Sequence, residues 1–223
     1  MTTIANRRPD FIGCYDALGT RHFYGATAQE IDRSAFALSR VLRSFEFAPG
    51  SNVLTISMVP EVIQYGAFER AVQMLGFYGL NADDSPFDAG RVESIVRQFA
   101  PVAVCGVAKS TLDGLAMMGH DPVKIFAGRV VWARPDAYDA LVALGIPARR
   151  VASIGPMLAL ECASGGLHFD DREWIIDDKE GALILSSRMN RVEPVERLAT
   201  GYMGSIGAEA CGCGMREQVV KLA

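Results

Sequence analysis

Apolar residues recur at helical spacing through Ile31, Ala35, Leu38, Leu42 and Phe45, behind a capping box formed by Thr27 and Glu30 and ahead of a stop at Pro49-Gly50. The spacing predicts an amphipathic helix. Val53 to Met58 is apolar and β-branched on both faces, the pattern of a strand covered by helices on each side. Pro60 opens a second helix that runs to about Leu75. The alternation continues with strands at 77–80, 102–105 and 129–133 and helices at 89–99, 110–118 and 135–144. Strands separated by helices of this length predict an α/β fold with a mainly parallel sheet.

Beyond Gly155 the texture changes. Leu167-His168-Phe169, Trp174-Ile175-Ile176, Ala182 to Leu185 and Val192 to Val195 are short strand-like pieces divided by Asp, Gly and Arg/Asn clusters. Residues 1–155 are therefore expected to form an α/β core domain, and 156–223 a small antiparallel β module packed on it. No linker separates the two parts.

Half of the 223 residues are hydrophobic, enough for a substantial core. Net charge is −4, from 22 basic and 26 acidic residues, and no Lys/Arg run could neutralise a row of phosphates, so nucleic acid is not an expected partner. The opening MTTIANRRPDF has two arginines with no apolar stretch behind them, and nowhere do eighteen apolar residues run together. The expectation is a cytoplasmic protein with no signal and no membrane span. Five cysteines in a chain too large to need disulfide staples point to packing, reactivity or metal binding.

Several short motifs follow one another in a specific order. Gly155-Pro156-Met157 to Cys162, then Gly166-Leu167-His168 and Asp170-Asp171, precede Gly181 to Ser187, Arg197-Leu198-Ala199-Thr200-Gly201 and Cys211-Gly212-Cys213-Gly214, with Ala133-Arg134-Pro135 upstream. This series resembles the phenylacetate-CoA ligase branch of the adenylate-forming enzymes from about Tyr15 to the end of the chain. The resemblance implies a large α/β domain for ATP and an aryl or acyl acid, completed in the family by a mobile C-terminal domain that has no counterpart after the Cys-x-Cys element.

The departures bear on function. The family's Ser/Thr/Gly-rich phosphate loop corresponds to Cys14 to His22, which keeps only Gly19-Thr20; the adenine and magnesium motif falls on Ala148 to Ala152; and Tyr202 stands where an aspartate would grip ribose. No ATP or magnesium is expected. The reading is a non-adenylating binding or accessory protein for aryl or acyl acids or their thioesters, a homo-oligomer or the partner of a full-length ligase. Two alternatives stand beside it. One is a repurposed enzyme using His22, Glu69, Asp83 or Asp84 as acid/base groups. The other is one part of a split ligase.

The expected ligand pocket comprises Tyr65, Phe68, Phe77, Tyr78, Gly79, Ala133 and Pro135. Cys162, His168, Cys211 and Cys213 supply four soft or borderline ligands suited to a tetrahedral structural zinc, positions that the resemblance also implies for zinc in some relatives. Cys105 is expected in the core, Cys14 as an exposed thiol, and His120 in a solvated loop.

Overall fold

The computed structural model describes residues 8–207 and 210–223; the leader-free reading of residues 1–7 lies outside them. Two strands, β1 (Phe11–Ala17) and β2 (Thr20–Ala26), form an antiparallel hairpin. Cys14 to His22 is therefore not a loop, which corrects the phosphate-loop assignment. Leu18 and Gly19 both adopt positive φ, 49° and 74°, as a two-residue hairpin turn requires, and the flanking residues pair directly across it. Cys14, within β1, is buried at 6% exposure and is not an exposed thiol.

Helix α1 (Ala28–Arg43) starts at the anticipated capping box: the Thr27 hydroxyl accepts from the Glu30 amide, and the Glu30 carboxylate accepts from the Thr27 amide at 2.8 Å. The next elements alternate: β3 (Asn52–Ser57), a 3-10 turn at Val59–Glu61, α2 (Val62–Met74), β4 (Tyr78–Asp83), α3 (Ala89–Phe99), β5 (Ala103–Val107), α4 (Lys109–Met117), a short α5 (Pro122–Phe126), β6 (Val130–Ala133), α6 (Pro135–Ala143) and β7 (Ala148–Ile154). Strands β4-β3-β5-β6-β7 lie side by side in that order, and all are parallel. Alternate residues serve opposite faces. Val53, Ala103, Cys105 and Trp132 pack with α1 and α2, whereas Leu54, Ile56, Val104 and Val131 pack with α3 to α6.

The sheet does not end at β7. A turn at Gly155, with φ +60°, leads into β8 (Met157–Glu161), antiparallel to β7. Then follow β9 (Leu167–His168), β10 (Trp174–Lys179), β11 (Ala182–Ser187), β12 (Leu198–Gly207) and β13 (Val219–Leu222). They extend the same sheet to eleven strands in the order β10-β11-β12-β13-β9-β8-β7-β6-β5-β3-β4. Mainly parallel is thus corrected to mixed: among the described residues the six pairings from β7 to β10 are antiparallel and only the four from β7 to β4 are parallel. The composition change near residue 155 marks the switch from parallel to antiparallel pairing within one continuous sheet.

Val192 to Val195 is not a strand. Pro194 has no N–H, the Val192 amide donates to Glu30, the Val195 amide donates to Ser187 Oγ, and Glu193 accepts from the Gly25 amide. Apart from the Ser187 amide, which donates to the Val195 carbonyl, side chains take the bonds a ladder would need. No helix among the described residues is long and apolar enough to cross a membrane.

Candidate functional site

The four soft ligands converge through strand pairing. Cys162 follows β8 in a tight turn to β9, where its amide donates to Gly166 and its carbonyl accepts from Gly165. His168 lies in β9, which is paired on one side with β8 and on the other with β13. Cys211 and Cys213 sit in the turn before β13, where the Gly214 amide donates to the Cys211 carbonyl. The sheet thus carries residues about fifty positions apart in sequence to one point.

Cys162 Sγ lies 3.5 Å from Cys211 Sγ, and Cys213 Sγ lies 3.3 Å from His168 Nε2. All four ligand atoms lie within 4.8 Å of one another. Metal–sulfur bonds of about 2.3 Å and metal–nitrogen bonds of about 2.0 Å in a tetrahedron would put ligand atoms roughly 3.5–3.8 Å apart. The two closest approaches are thus near tetrahedral spacing, and no separation exceeds it by more than about 1.3 Å.

Three further observations fit a cation here. Burial pushes the Cys213 thiol up to about 12, helped by the neighbouring Cys211 and Cys162 sulfurs. Burial also acts to raise Cys211, but hydrogen bonds from Cys213, Cys162 and Gly166 bring its pKa down. Three thiols this close cannot all ionise beside one another unless a positive ion joins them. A Cβ on Gly166 would stand 2.7 Å from Cys211 Sγ and 3.0 Å from His168 Nε2, so the cluster occupies space that only glycine leaves open. Finally, burial lowers the His168 pKa, keeping the imidazole neutral as a metal ligand must be, and its Nδ1 is buried without a hydrogen bond. His168 also borders a narrow cavity of about 20 Å³ between α1, α2 and β8, room for roughly one water.

The second feature lies at the carboxyl ends of the parallel strands. The chain leaves β3 towards β4 on one side and β5 towards β6 on the other, so β3 and β5 flank the switch point where open α/β sheets bind ligands. Here that crevice is filled by protein. Arg134, at the start of α6, donates both terminal nitrogens to Glu61 at 2.6 and 2.7 Å. Its remaining contacts reach the Ile56 and Gly106 carbonyls, the Tyr65 ring at 4.8 Å and Asp84 at 3.5 Å, while Asp84 also accepts from Ser110 Oγ. Gly106 makes the clamp possible. It adopts φ +93° in an irregularity of β5, where a Cβ would meet the Ile56 carbonyl at 2.2 Å. Only a glycine lets β5 approach β3 this closely.

The residues expected to form a ligand pocket divide three ways. Phe68 and Phe77 are core residues, packed edge-on against Trp132 and Phe47, and Ala133 is buried on the opposite face. Tyr78 and Gly79 lie exposed on the edge strand, and Pro135 is exposed at the first turn of α6. Tyr65 alone lines an open pocket, about 240 Å³, which it shares with Glu69 and Asp83. Of the acid/base candidates, Asp84 belongs to the Arg134 clamp and His22 stacks on Tyr15 in the hairpin, so the four are not assembled into one centre. Glu61 and Gly106 escaped sequence reasoning. Their role depends on Arg134, 73 and 28 positions away.

No protein-family model matches the chain, and no curated protein sequence does. Solved structures do. 2-Hydroxyisobutyryl-CoA ligase, in an open conformation with 2-HIB-AMP and CoA, matches with a TM-score of 0.70 at 13% identity over 94% of this chain and 55% of the ligase. The o-succinylbenzoate CoA synthetase of Bacillus subtilis, bound to its product analogue OSB-NCoA, matches with a TM-score of 0.54 at 12% identity over 94% of this chain and 48% of that enzyme. The fold is that of acyl-CoA ligases. This chain spans about half the length of the ligases it matches. Within that ligase fold, the described residues bring a Cys3His cluster and an arginine clamp to the two places described above.

Proposed function

We propose that this ligase-fold chain is a non-adenylating binding or accessory protein, of phenylacetate-CoA-ligase-type ancestry, for an aryl or acyl small molecule. The observation that carries the reading is the Arg134–Glu61–Asp84 clamp at the switch point. A nucleotide entering there would have to break a bidentate ion pair whose two side chains are only 17% and 19% exposed. Separating one partner of a buried pair leaves an uncompensated charge, at about 3–5 kcal/mol for a fully buried case and less here. The β1–β2 hairpin agrees with this: its strands are extended and paired with each other rather than curled into a nest of amides for phosphates.

In this reading the Cys3His cluster is structural. Cys162, His168, Cys211 and Cys213 hold zinc and staple the turn before β13 to the turn after β8. The protein is cytoplasmic, and its partner is a second copy or a full-length ligase.

The deciding measurement is ATP–pyrophosphate exchange with the purified full chain across aryl and fatty acids, paired with thermal-shift screening of the same acids and their CoA thioesters. No exchange is expected, together with stabilisation by at least one ligand. A tenfold excess over the dissociation constant stabilises by roughly 1.4 kcal/mol. Robust exchange with any acid would overturn the proposal.

A further inference from the structure

The pocket of about 240 Å³ beside the clamp opens beyond the carboxyl ends of β3 and β4. It is smaller than the usual ligand cleft of about 300–1,000 Å³, so its ligand is small. Val62, Ala82 and the Tyr65 ring supply an apolar body, and Glu69 and Asp83 supply carboxylates; no lysine or arginine lines it.

The surroundings are acidic as well. Arg134 lies over the Tyr65 ring and faces two carboxylates, Glu61 and Asp84. Its charge is more than matched before Glu69 and Asp83 are counted. A low-dielectric cleft focuses such a field towards its mouth. Glu69 forms no hydrogen bond or ion pair among the described residues, and burial raises its pKa. Tyr65 is 2% exposed yet lines the cavity, and its hydroxyl makes no hydrogen bond among the described residues. A half-buried carboxylate without a hydrogen bond and a buried phenol whose ring meets Arg134 thus share one small site.

We propose that this pocket binds a small organic amine, with its alkyl or aryl body against Val62, Ala82 and Tyr65 and its ammonium on Glu69 and Asp83. The inference rests on the binding reading above and changes its head group: a free carboxylate would meet Glu69 and Asp83 as like charges.

The test uses three near-isosteric probes, phenethylamine, 2-phenylethanol and phenylacetate, titrated calorimetrically at pH 7 into the full chain. Phenethylamine should bind about tenfold more tightly than phenylacetate, and Glu69→Gln should weaken the amine roughly threefold to fivefold, the range of a partly exposed ion pair. Val62→Trp, which fills the pocket, should abolish amine binding while circular dichroism and the melting transition report an intact fold. The inference fails if phenylacetate binds as well as the amine, or if amine affinity ignores both Glu69→Gln and Val62→Trp. Binding of phenylacetate or its CoA thioester without the amine sinks the inference alone; silence from all these ligands sinks the binding reading with it.

Discussion

Gly166→Ala isolates the space the metal cluster needs. The new Cβ would lie 2.7 Å from Cys211 Sγ and 3.0 Å from His168 Nε2, against an ordinary carbon contact of about 3.5–4.0 Å. The sulfur must retreat by about 0.8 Å or more, several times the roughly 0.2 Å tolerance of metal–ligand distances. Disturbing what positions the ligands typically weakens a metal site about 10–100-fold, equivalent to about 1.4–2.7 kcal/mol. Because metal binding stabilises only the folded chain, that loss appears as a melting midpoint lower by about 3–10 °C at fixed free zinc. Gly166 does not have positive φ, so the variant carries no added backbone strain. Gly165→Ala is the matched control: it strains a residue at φ +86° but meets nothing within 4 Å, so it should lower stability modestly and leave zinc affinity alone. The assay is competition for zinc against a chromophoric chelator, with melting curves recorded in zinc and in excess chelator. Wild-type zinc affinity in Gly166→Ala would refute the reasoning. So would a melting difference that persists undiminished in chelator.

The other predictions follow from the same geometry. Elemental analysis of protein purified without added metal should find close to one zinc per chain, and Cys213→Ser should lower both occupancy and melting midpoint. Arg134→Met should destabilise the fold by about 2–4 kcal/mol in urea unfolding, because Glu61 and Asp84 are left without their cation, and the double variant with Glu61→Gln should recover part of that loss. Burial raises Glu69, so its folded pKa lies above its unfolded one and the fold loses stability as pH rises through its titration. Glu69→Gln should therefore raise the melting midpoint at pH 7 and leave it unchanged near pH 3.

The first half of the chain is legible because its signals are local. The capping box at Thr27 and Glu30 is built from residues three apart, and α3 spans Ala89–Phe99 as its periodicity predicts, because a helix satisfies its own backbone within each turn. Strands are different. The Val192 to Val195 segment has the composition of a strand but found side-chain acceptors instead of a ladder, and the β1–β2 hairpin was hidden by a turn of Leu18-Gly19 rather than the Asn-Gly that usually announces one.

Residue chemistry, together with the family resemblance, singled out Cys162, His168, Cys211 and Cys213, because three thiols and an imidazole are a restricted donor set wherever they fall. That they meet was decided by β13 inserting between β9 and β12, a pairing of strands about fifty residues apart that no local pattern encodes. The ligand pocket divides in the same way. Apolar periodicity marks Tyr65, Phe68 and Phe77 alike as inward-facing, since hydrophobic burial is indifferent to whether the space beyond a side chain is filled. Only the tertiary packing, with Trp132 against Phe68, Phe47 against Phe77 and open space beside Tyr65, separated core from cavity. The clamp of Arg134 on Glu61 was decided at that level too: ion pairs between distant residues form where strand order brings their backbones together, and strand order is a property of the whole sheet.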